Sequence, residues 1–269
     1  MAKAFGQFAV LVVLFFSTWF ALAKIDFVGD LHVEQITKDN ERKLAAFMLE
    51  AVDRSHEEVQ SDTLVASLNS IKRRLCEASG VPDSSIHIHI FKVDDVNAFA
   101  LPDGHIIVYS GLIKYCETPE ELAGAMAHEI GHIENHHVMK KLVKEVGLSM
   151  LTTIAGGESG GQFAREMVKL LSSTAFDREQ ETEADTYAVN MLAKADIDPD
   201  QLANFFFRLS HEKFDVPKSV EWVSTHPNSA ERSEEILKMR KTMVIHTKPV
   251  MSGEEWKAVR GMVSRDKGD

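Results

Sequence analysis

The sequence predicts an α+β domain that is mostly helical and carries a small β-sheet beside one central helix. Apolar residues recur at helical spacing along most of the 269-residue chain. Residues 86–113 instead alternate apolar and polar side chains, which is typical of strands. The chain is 44% hydrophobic and 26% charged, so it can bury the core of one substantial domain or two small ones.

Composition excludes several classes of function and site. The formal net charge is −11, and no run of lysine and arginine offsets it, which argues against a nucleic-acid partner. The two cysteines, Cys76 and Cys116, are too few for a four-cysteine zinc site, so any metal must be held by histidine and carboxylate. An oxidising compartment would permit a disulfide between them, and the sequence leaves that pairing open.

The N-terminus has the pattern of an export signal. Lys3 supplies a short basic region, an apolar run extends from about Phe8 to Phe20, and Ala21-Leu22-Ala23 matches a cleavage site. We therefore expect residues 1–23 to be a secretory signal peptide. The alternative is an uncut membrane anchor, because the apolar run from residue 4 to residue 23 approaches the length that spans a bilayer.

Residues 30–80 are predicted to form helices of the core scaffold. Two groups of apolar side chains recur there at helical spacing: Leu44, Phe47, Met48 and Val52, then Leu64, Val65, Leu68, Ile71 and Leu75. Gly80 and Pro82 end the second helix.

Residues 86–113 are predicted to contain three strands. The first alternates isoleucine with His87, His89 and Phe91. The second and third, Asn97–Leu101 and His105–Ile113, are joined by a tight turn at residues 102–104. His87 and His89 raise the question of metal ligation, but alternate polar residues on an exposed sheet face are usually solvated, and we assign both to the surface.

A strong helix start precedes the central helix. Thr118-Pro119-Glu120-Glu121 is a capping box with proline at the first helical position, and the helix is expected to continue to about Val146. His136 and His137, near its middle, are assigned to the surface.

The central helix carries the pattern H-E-x-x-H at residues 128–132. Positions four apart lie nearly above one another on a helix, so His128 and His132 can direct their imidazoles at one point. Two neutral imidazoles suit Zn²⁺, which keeps one position open for water in catalytic sites. Glu129 is placed to take a proton from that water as it attacks a carbonyl. The alternative is a polar helix face that matches the pattern by chance.

A catalytic zinc ion needs a third protein ligand, and residues 177–185, within the helical stretch predicted over residues 162–195, offer carboxylates. Glu181 and Asp185 share one helical face with two alanines, which make the face flat enough to pack inward. Glu181 can then reach the metal, while Asp185 accepts the free ring N–H of a ligand histidine. Glu183 points roughly the opposite way. From spacing alone, a solvated acidic helix is an equal alternative.

The remaining segments are predicted to be mostly scaffold. The glycine-rich residues 156–161 form a flexible loop and a candidate lid or hinge, and helices follow at Pro199–Phe214 and Ser229–Arg240. His226, in the loop before the last of these helices, is a candidate for contacting substrate or a developing oxyanion. A structural turn histidine is the alternative.

Four motifs in this order resemble the M48 family of zinc peptidases. They are Asn97-Ala98-Phe99-Ala100-Leu101-Pro102-Asp103-Gly104, Glu120-Glu121-Leu122-Ala123 running into His128-Glu129-Ile130-Gly131-His132, Arg178 to Asp185, and Thr225-His226-Pro227 with Glu231-Arg232. Together they are far more specific than the H-E-x-x-H alone.

The resemblance implies a gluzincin-type (mini-gluzincin) metalloprotease fold, in which a small sheet packs on the active-site helix and on a helix that bears a glutamate ligand. It implies that Glu181 joins His128 and His132 in holding one Zn²⁺ per subunit. It also implies that an edge strand, at Asn97, Ala98, Phe99 and Ala100 or its neighbour, binds polypeptide substrates.

From these observations we expect a zinc-dependent endopeptidase for unfolded or misassembled cell-envelope proteins. The alternative is a periplasmic chaperone or assembly factor in which chain binding is the main role. The peptidase domain is expected at residues 24–245, with a C-terminal helix and tail at 246–269. We expect export to the periplasm, or an anchor at residues 4–23 facing it, with peripheral membrane or envelope association. The oligomeric state and the natural substrate are not predicted.

Overall fold

The computed structural model describes residues 36–156, 160–211 and 221–264, together with three isolated positions near the N-terminus. The predicted signal peptide or anchor at residues 1–23 lies outside the continuous described segments. Among the described residues, no helix combines the length and the apolar character that crossing a membrane requires.

The described chain is mostly helical, with one small sheet, and the predicted α+β class is confirmed. The helices before the sheet are α1 (Lys38–Asp53) and α2 (Asp62–Ser79), and the strands are β1 (His87–Phe91), β2 (Ala98–Ala100) and β3 (His105–Tyr109). The helices that follow are α3 (Ser110–Tyr115), α4 (Pro119–Glu134), α5 (His137–Val146), α6 (Leu148–Gly156), α7 (Gly160–Ser173), α8 (Arg178–Lys194), α9 (Asp200–His211), α10 (Glu221–Thr225), α11 (Ser229–Arg240) and α12 (Gly253–Ser264).

The sheet has the strand order β1-β3-β2, with β1 parallel and β2 antiparallel to the central β3. The turn into β3 needs Gly104, which has φ +76° and whose Cβ, if added, would lie 1.8 Å from the carbonyl oxygen of Ser85. The predicted third strand was too long. It ends at Tyr109, and the next residues form α3 instead of continuing to Ile113.

The sheet separates two apolar clusters, because successive residues of a strand point to opposite faces. Ile106 and Val108 pack into the cluster with α2, α4, α8 and α9, whereas Ile107 and Tyr109 pack into the cluster with α1, α5 and α7. Helix α12 joins the first cluster. Both cysteines are also buried there as free thiols, so the disulfide left open by the sequence is not formed.

Helix α4 starts as predicted but ends earlier. The Thr118 hydroxyl accepts a hydrogen bond from the backbone N–H of Glu121, and Pro119 occupies the first turn. The helix stops at Glu134 rather than near Val146, because His136 adopts the left-handed conformation, with φ 58°, and α5 leaves in a new direction.

Helix α4 packs most extensively against α8, and small residues make that packing close. A Cβ added to Gly131 would lie 2.9 Å from the carbonyl oxygen of Ala184 and 3.1 Å from its Cα. Neither is the flexible end of a side chain, so glycine at this position determines how near the two helices come.

We therefore predict that Gly131→Ala destabilises the protein by about 1–3 kcal/mol through overpacking. The melting temperature should fall by roughly 2–4 °C for each kcal/mol. Gly261→Ala is the matched control, since Gly261 lies in α12 with nothing within 4 Å of its added Cβ. Alanine there should stabilise the helix by up to about 1 kcal/mol. Calorimetric unfolding of both variants checks this. An unchanged melting temperature for Gly131→Ala would mean that α4 and α8 can move apart without loss of stability.

Candidate metal centre

Two histidines of α4 face each other inside the protein. His128 and His132 are both fully buried, and their Nε2 atoms lie 3.0 Å apart because they are one helical turn from each other. The remaining ring nitrogen of each is directed away from this meeting point, as its hydrogen-bond partners below show.

Helix α8 brings a carboxylate to the same point. Glu181 lies in the first turn of α8, after a capping box formed by Asp177 and Gln180. Its Oε1 is 3.4 Å from Nε2 of His132, and its Oε2 is 3.6 Å from Nε2 of His128.

Asp185, one turn further along α8, contacts the far side of His128. Its Oδ1 lies 3.0 Å from Nδ1 of that ring. An Nδ1–H donated to this carboxylate leaves the Nε2 lone pair free for the meeting point.

Arg232, from α11, joins the two carboxylates of α8. Its Nε and Nη2 donate to Asp185 at 2.7 and 2.6 Å, and its Nη1 pairs with Glu181. The guanidinium carbon also lies 4.3 Å from the ring centre of Phe206. A buried arginine that pairs in this way stays charged and neutralises part of the acidic cluster.

The charges around Glu181 determine its ionisation. Burial alone would raise the pKa of its carboxyl, but His226 and Arg232 together hold that pKa well below its ordinary value. Burial likewise opposes ionisation of Asp185, and Arg232 outweighs it, so the pKa of Asp185 is also lowered. Both carboxyls are therefore ionised.

Glu129, the residue after His128 in α4, is fully buried. Burial raises the pKa of its carboxyl well above the ordinary value, the nearby charge of Glu181 raises it further, and the backbone N–H of Ala100 in β2 offsets part of the rise. Its carboxyl therefore lies next to β2.

His226 follows α10 and enters the same cluster. Its Nδ1 is 2.9 Å from Oε1 of Glu181 and 3.2 Å from Nε2 of His128, while its Nε2 is 3.4 Å from Oε1 of Glu129. Burial lowers the pKa of this imidazole to about 4.

These donors fit a metal ion such as zinc. His128, His132, Glu181 and His226 each offer one atom, and the four atoms all lie within 4.8 Å of one another. Imidazole nitrogen and carboxylate oxygen are the donor types that zinc uses together. His87 and His89 do not belong to any such group among the described residues.

The predicted substrate strand lies beside this cluster. Helices α7 and α10 lie on the same side of the cluster as the strand. Asn97 donates from its amide to the carbonyl oxygen of Ser172 in α7, at 3.2 Å, and to Glu221 in α10, at 3.3 Å. Residues 97–101 are buried, as are the four candidate ligands, so α7 and α10 cover this side of the centre.

One residue of the site was assigned wrongly from the sequence. His137 was placed on the surface, yet it is fully buried with Nδ1 3.0 Å from Nδ1 of His132. On an uninterrupted helix, a residue five positions after His132 would be about 140° away around the axis. The break at His136 removes that separation, and no periodicity in the sequence indicates it. Phe176 stacks on His132 with ring centres 4.0 Å apart. No pattern in the sequence predicts this contact.

Sequence comparisons with known proteins identify a peptidase family and several metalloprotease relatives. The sequence model of peptidase family M48 matches residues 63–240. The chain is 30% identical to the metalloprotease LoiP of Escherichia coli K12, with 68% of this chain and 77% of LoiP covered. It is 25% identical to the mitochondrial metalloendopeptidase OMA1 of Schizosaccharomyces pombe, over 76% of this chain and 66% of that protein. It is 26% identical to the β-barrel assembly-enhancing protease of Yersinia pestis, over 70% of this chain and 41% of that protein. The chain thus spans less than two thirds of the last two relatives.

We predict that Arg232→Gln destabilises the metal-free protein by about 3–5 kcal/mol, because Glu181 and Asp185 would remain buried without their cation. Arg178→Gln is the control, since its ion pair with Glu231 is exposed and should contribute less than about 1 kcal/mol. Urea unfolding in the presence of a chelator measures both changes. Equal, small losses would show that the Arg232 network is not needed for stability.

Proposed function

This chain belongs to peptidase family M48, and we propose that it hydrolyses peptide bonds with one Zn²⁺ per subunit held by His128, His132 and Glu181. Its membership of the family makes it a metalloprotease. The observation that carries the identity of the ligands is the convergence of two imidazole nitrogens and one carboxylate from two packed helices.

When bound, zinc would polarise the carbonyl of the scissile peptide bond and make a water molecule more acidic. Glu129 takes the proton of the attacking water and passes it to the leaving amine. Its burial beside the proposed ligands, with Oε1 3.4 Å from Nε2 of His226, supports this role, because a general base must lie within reach of the proton it removes.

Asp185 holds the ring of His128 in place through Nδ1. The hydrogen bond supports the tautomer in which Nε2 is free for the metal. Arg232 keeps Asp185 ionised and thereby strengthens that hydrogen bond.

His226 is proposed to contact the substrate carbonyl or the oxyanion that develops from it. Its Nε2 is the ring nitrogen nearest to Glu129, which is the side where the proton transfers take place. The alternative, a structural turn histidine, is less compatible with its contacts to Glu181 and His128.

Strand β2 is proposed to hold the substrate in an extended conformation. Its pairing with β3 uses the main-chain groups of Asn97 and Leu101, so the main chains of Ala98 and Ala100 face the opposite edge. The influence of the Ala100 N–H on Glu129 supports the same orientation. A peptide pairing with this edge would lie beside the proposed base. Because α7 and α10 cover the edge in this structure, they must move before a substrate enters.

We propose that the substrates are unfolded or misassembled proteins of the cell envelope and that the protein acts in the periplasm. The signal-like pattern of residues 1–23 supports export, and residues 4–23 would serve as an anchor if they are not cut. Several similar proteins, including that of Yersinia pestis, carry the name β-barrel assembly-enhancing protease, which supports an envelope substrate. The name equally supports the alternative, a chaperone or assembly factor for which binding matters more than cleavage.

We predict that Glu129→Gln lowers casein cleavage by at least about 10²-fold, because general base catalysis is lost, while one zinc per chain remains bound. His128→Ala should lose the metal. Elemental analysis and a casein digest of both variants check this. Activity retained by Glu129→Gln would contradict the mechanism.

The same Glu129→Gln protein separates protease from chaperone in an aggregation-suppression assay with a denatured envelope protein. If cleavage is the main role, the wild type should clear the aggregating protein and the variant should not. Equal suppression by both would favour the chaperone.

We also predict that peptide inhibitors pairing with β2 depend on alternate amide groups. N-methylation of the amides that face Ala98 and Ala100 should weaken inhibition about tenfold or more, since each lost hydrogen bond leaves a buried group unpaired. Methylation of the intervening amides is the matched control. Inhibition constants measured with casein decide between them, and equal losses for both sets would rule out pairing along this edge.

A further inference from the structure

His137 lies directly behind one of the two proposed ligand histidines. Its Nδ1 is 3.0 Å from Nδ1 of His132, and its Nε2 is 2.9 Å from Oε2 of Glu183 on α8. His132 and His137 are fully buried, whereas the Glu183 side chain is half exposed. The three side chains form a chain of hydrogen bonds from the proposed metal site to the protein surface.

The carboxylate determines the direction of this chain. An ionised carboxylate can only accept, so His137 donates to Glu183 from Nε2–H. A neutral imidazole carries a single N–H, and Nδ1 of His137 is then an acceptor. The group that donates to it is the Nδ1–H of His132. His132 in this tautomer has its lone pair on Nε2, the atom that faces His128.

We propose that His137 is a positioning residue that holds His132 in the tautomer and orientation needed to bind the metal. The inference rests on the proposed function of His132 as a ligand. It gives the two ligand histidines equivalent support, because His128 donates directly to Asp185 while His132 reaches Glu183 through His137. Both carboxylates come from α8, the helix that also carries Glu181.

The backbone is shaped to make this contact. The left-handed conformation of His136, which is uncommon outside glycine, ends α4 and turns His137 back towards His132. The Asn135 side chain donates to the carbonyl oxygen of Gly131 at 2.8 Å, which closes the last turn of α4 before the break.

One face of the His132 ring is also packed against another side chain. Phe176 stacks on the ring with the two planes inclined by 24°, and Lys141 lies 4.1 Å from the centre of Phe176 on a cation–π contact. The ring of His132 therefore has an aromatic neighbour on one face and a hydrogen bond at its edge, so its rotation is restricted.

The test is competition for Zn²⁺ between the full-length chain and a chromogenic chelator. His137→Phe keeps a planar ring of similar size but removes the acceptor, and it should bind zinc about 10- to 100-fold more weakly than the wild type. His137→Gln offers a side-chain oxygen as acceptor and should recover most of the affinity.

Two substitutions in α8 form a matched pair. Glu183→Ala removes the end of the hydrogen-bond chain and should weaken zinc binding several-fold. Glu179→Ala removes an equal charge from an exposed residue of the same helix and should leave the affinity unchanged. Melting temperatures of the metal-free proteins show whether each variant folds. If His137→Phe does not fold, the zinc affinity of Glu183→Ala decides whether the proposal holds.

The proposal is overturned if His137→Phe binds zinc as tightly as the wild type. It is also overturned if the Phe and Gln variants weaken binding equally, because that result indicates loss of packing rather than loss of an acceptor. Failure of the proposed function looks different. In that case the wild type itself holds no zinc, or His128→Ala holds as much as the wild type.

Discussion

The centre depends on the close approach of α4 and α8. Two of the three proposed ligands come from the first helix and the third from the second, so their atoms meet only if the two backbones nearly touch. Gly131 permits this, because even one methyl group there would press on Ala184.

The same approach concentrates charge in a region without solvent. Glu181 and Asp185 are ionised and buried, and Arg232 is the cation that contacts both of them. The two carboxylates and the single guanidinium therefore leave one negative charge uncompensated. Glu129 adds another carboxyl, which resists ionisation. A divalent cation would offset this excess, and the cost of burying the acids is then part of what makes the centre attract a metal.

The sheet connects the centre to the region where a substrate would bind. Strand β2 lies at one edge of the sheet, next to α4, and the Ala100 N–H offsets part of the rise in the pKa of Glu129. The contacts of Asn97 with α7 and α10 keep this edge covered. Burial under these helices shields the reacting groups from bulk solvent, and in the proposed mechanism the helices move before a substrate and the attacking water reach them.

Local patterns in the sequence predicted the parts of the site that depend on neighbours within one or two helical turns. The capped start of α4 and the spacing of His128, Glu129 and His132 are of this kind, since a helix aligns such residues without help from the rest of the chain. For Glu181, spacing alone left a metal ligand and a solvated residue equally open, and the family resemblance favoured the ligand. The tertiary structure alone decided that α4 breaks at His136 and that His137 turns inward to Glu183, because these depend on contacts between residues far apart in the chain.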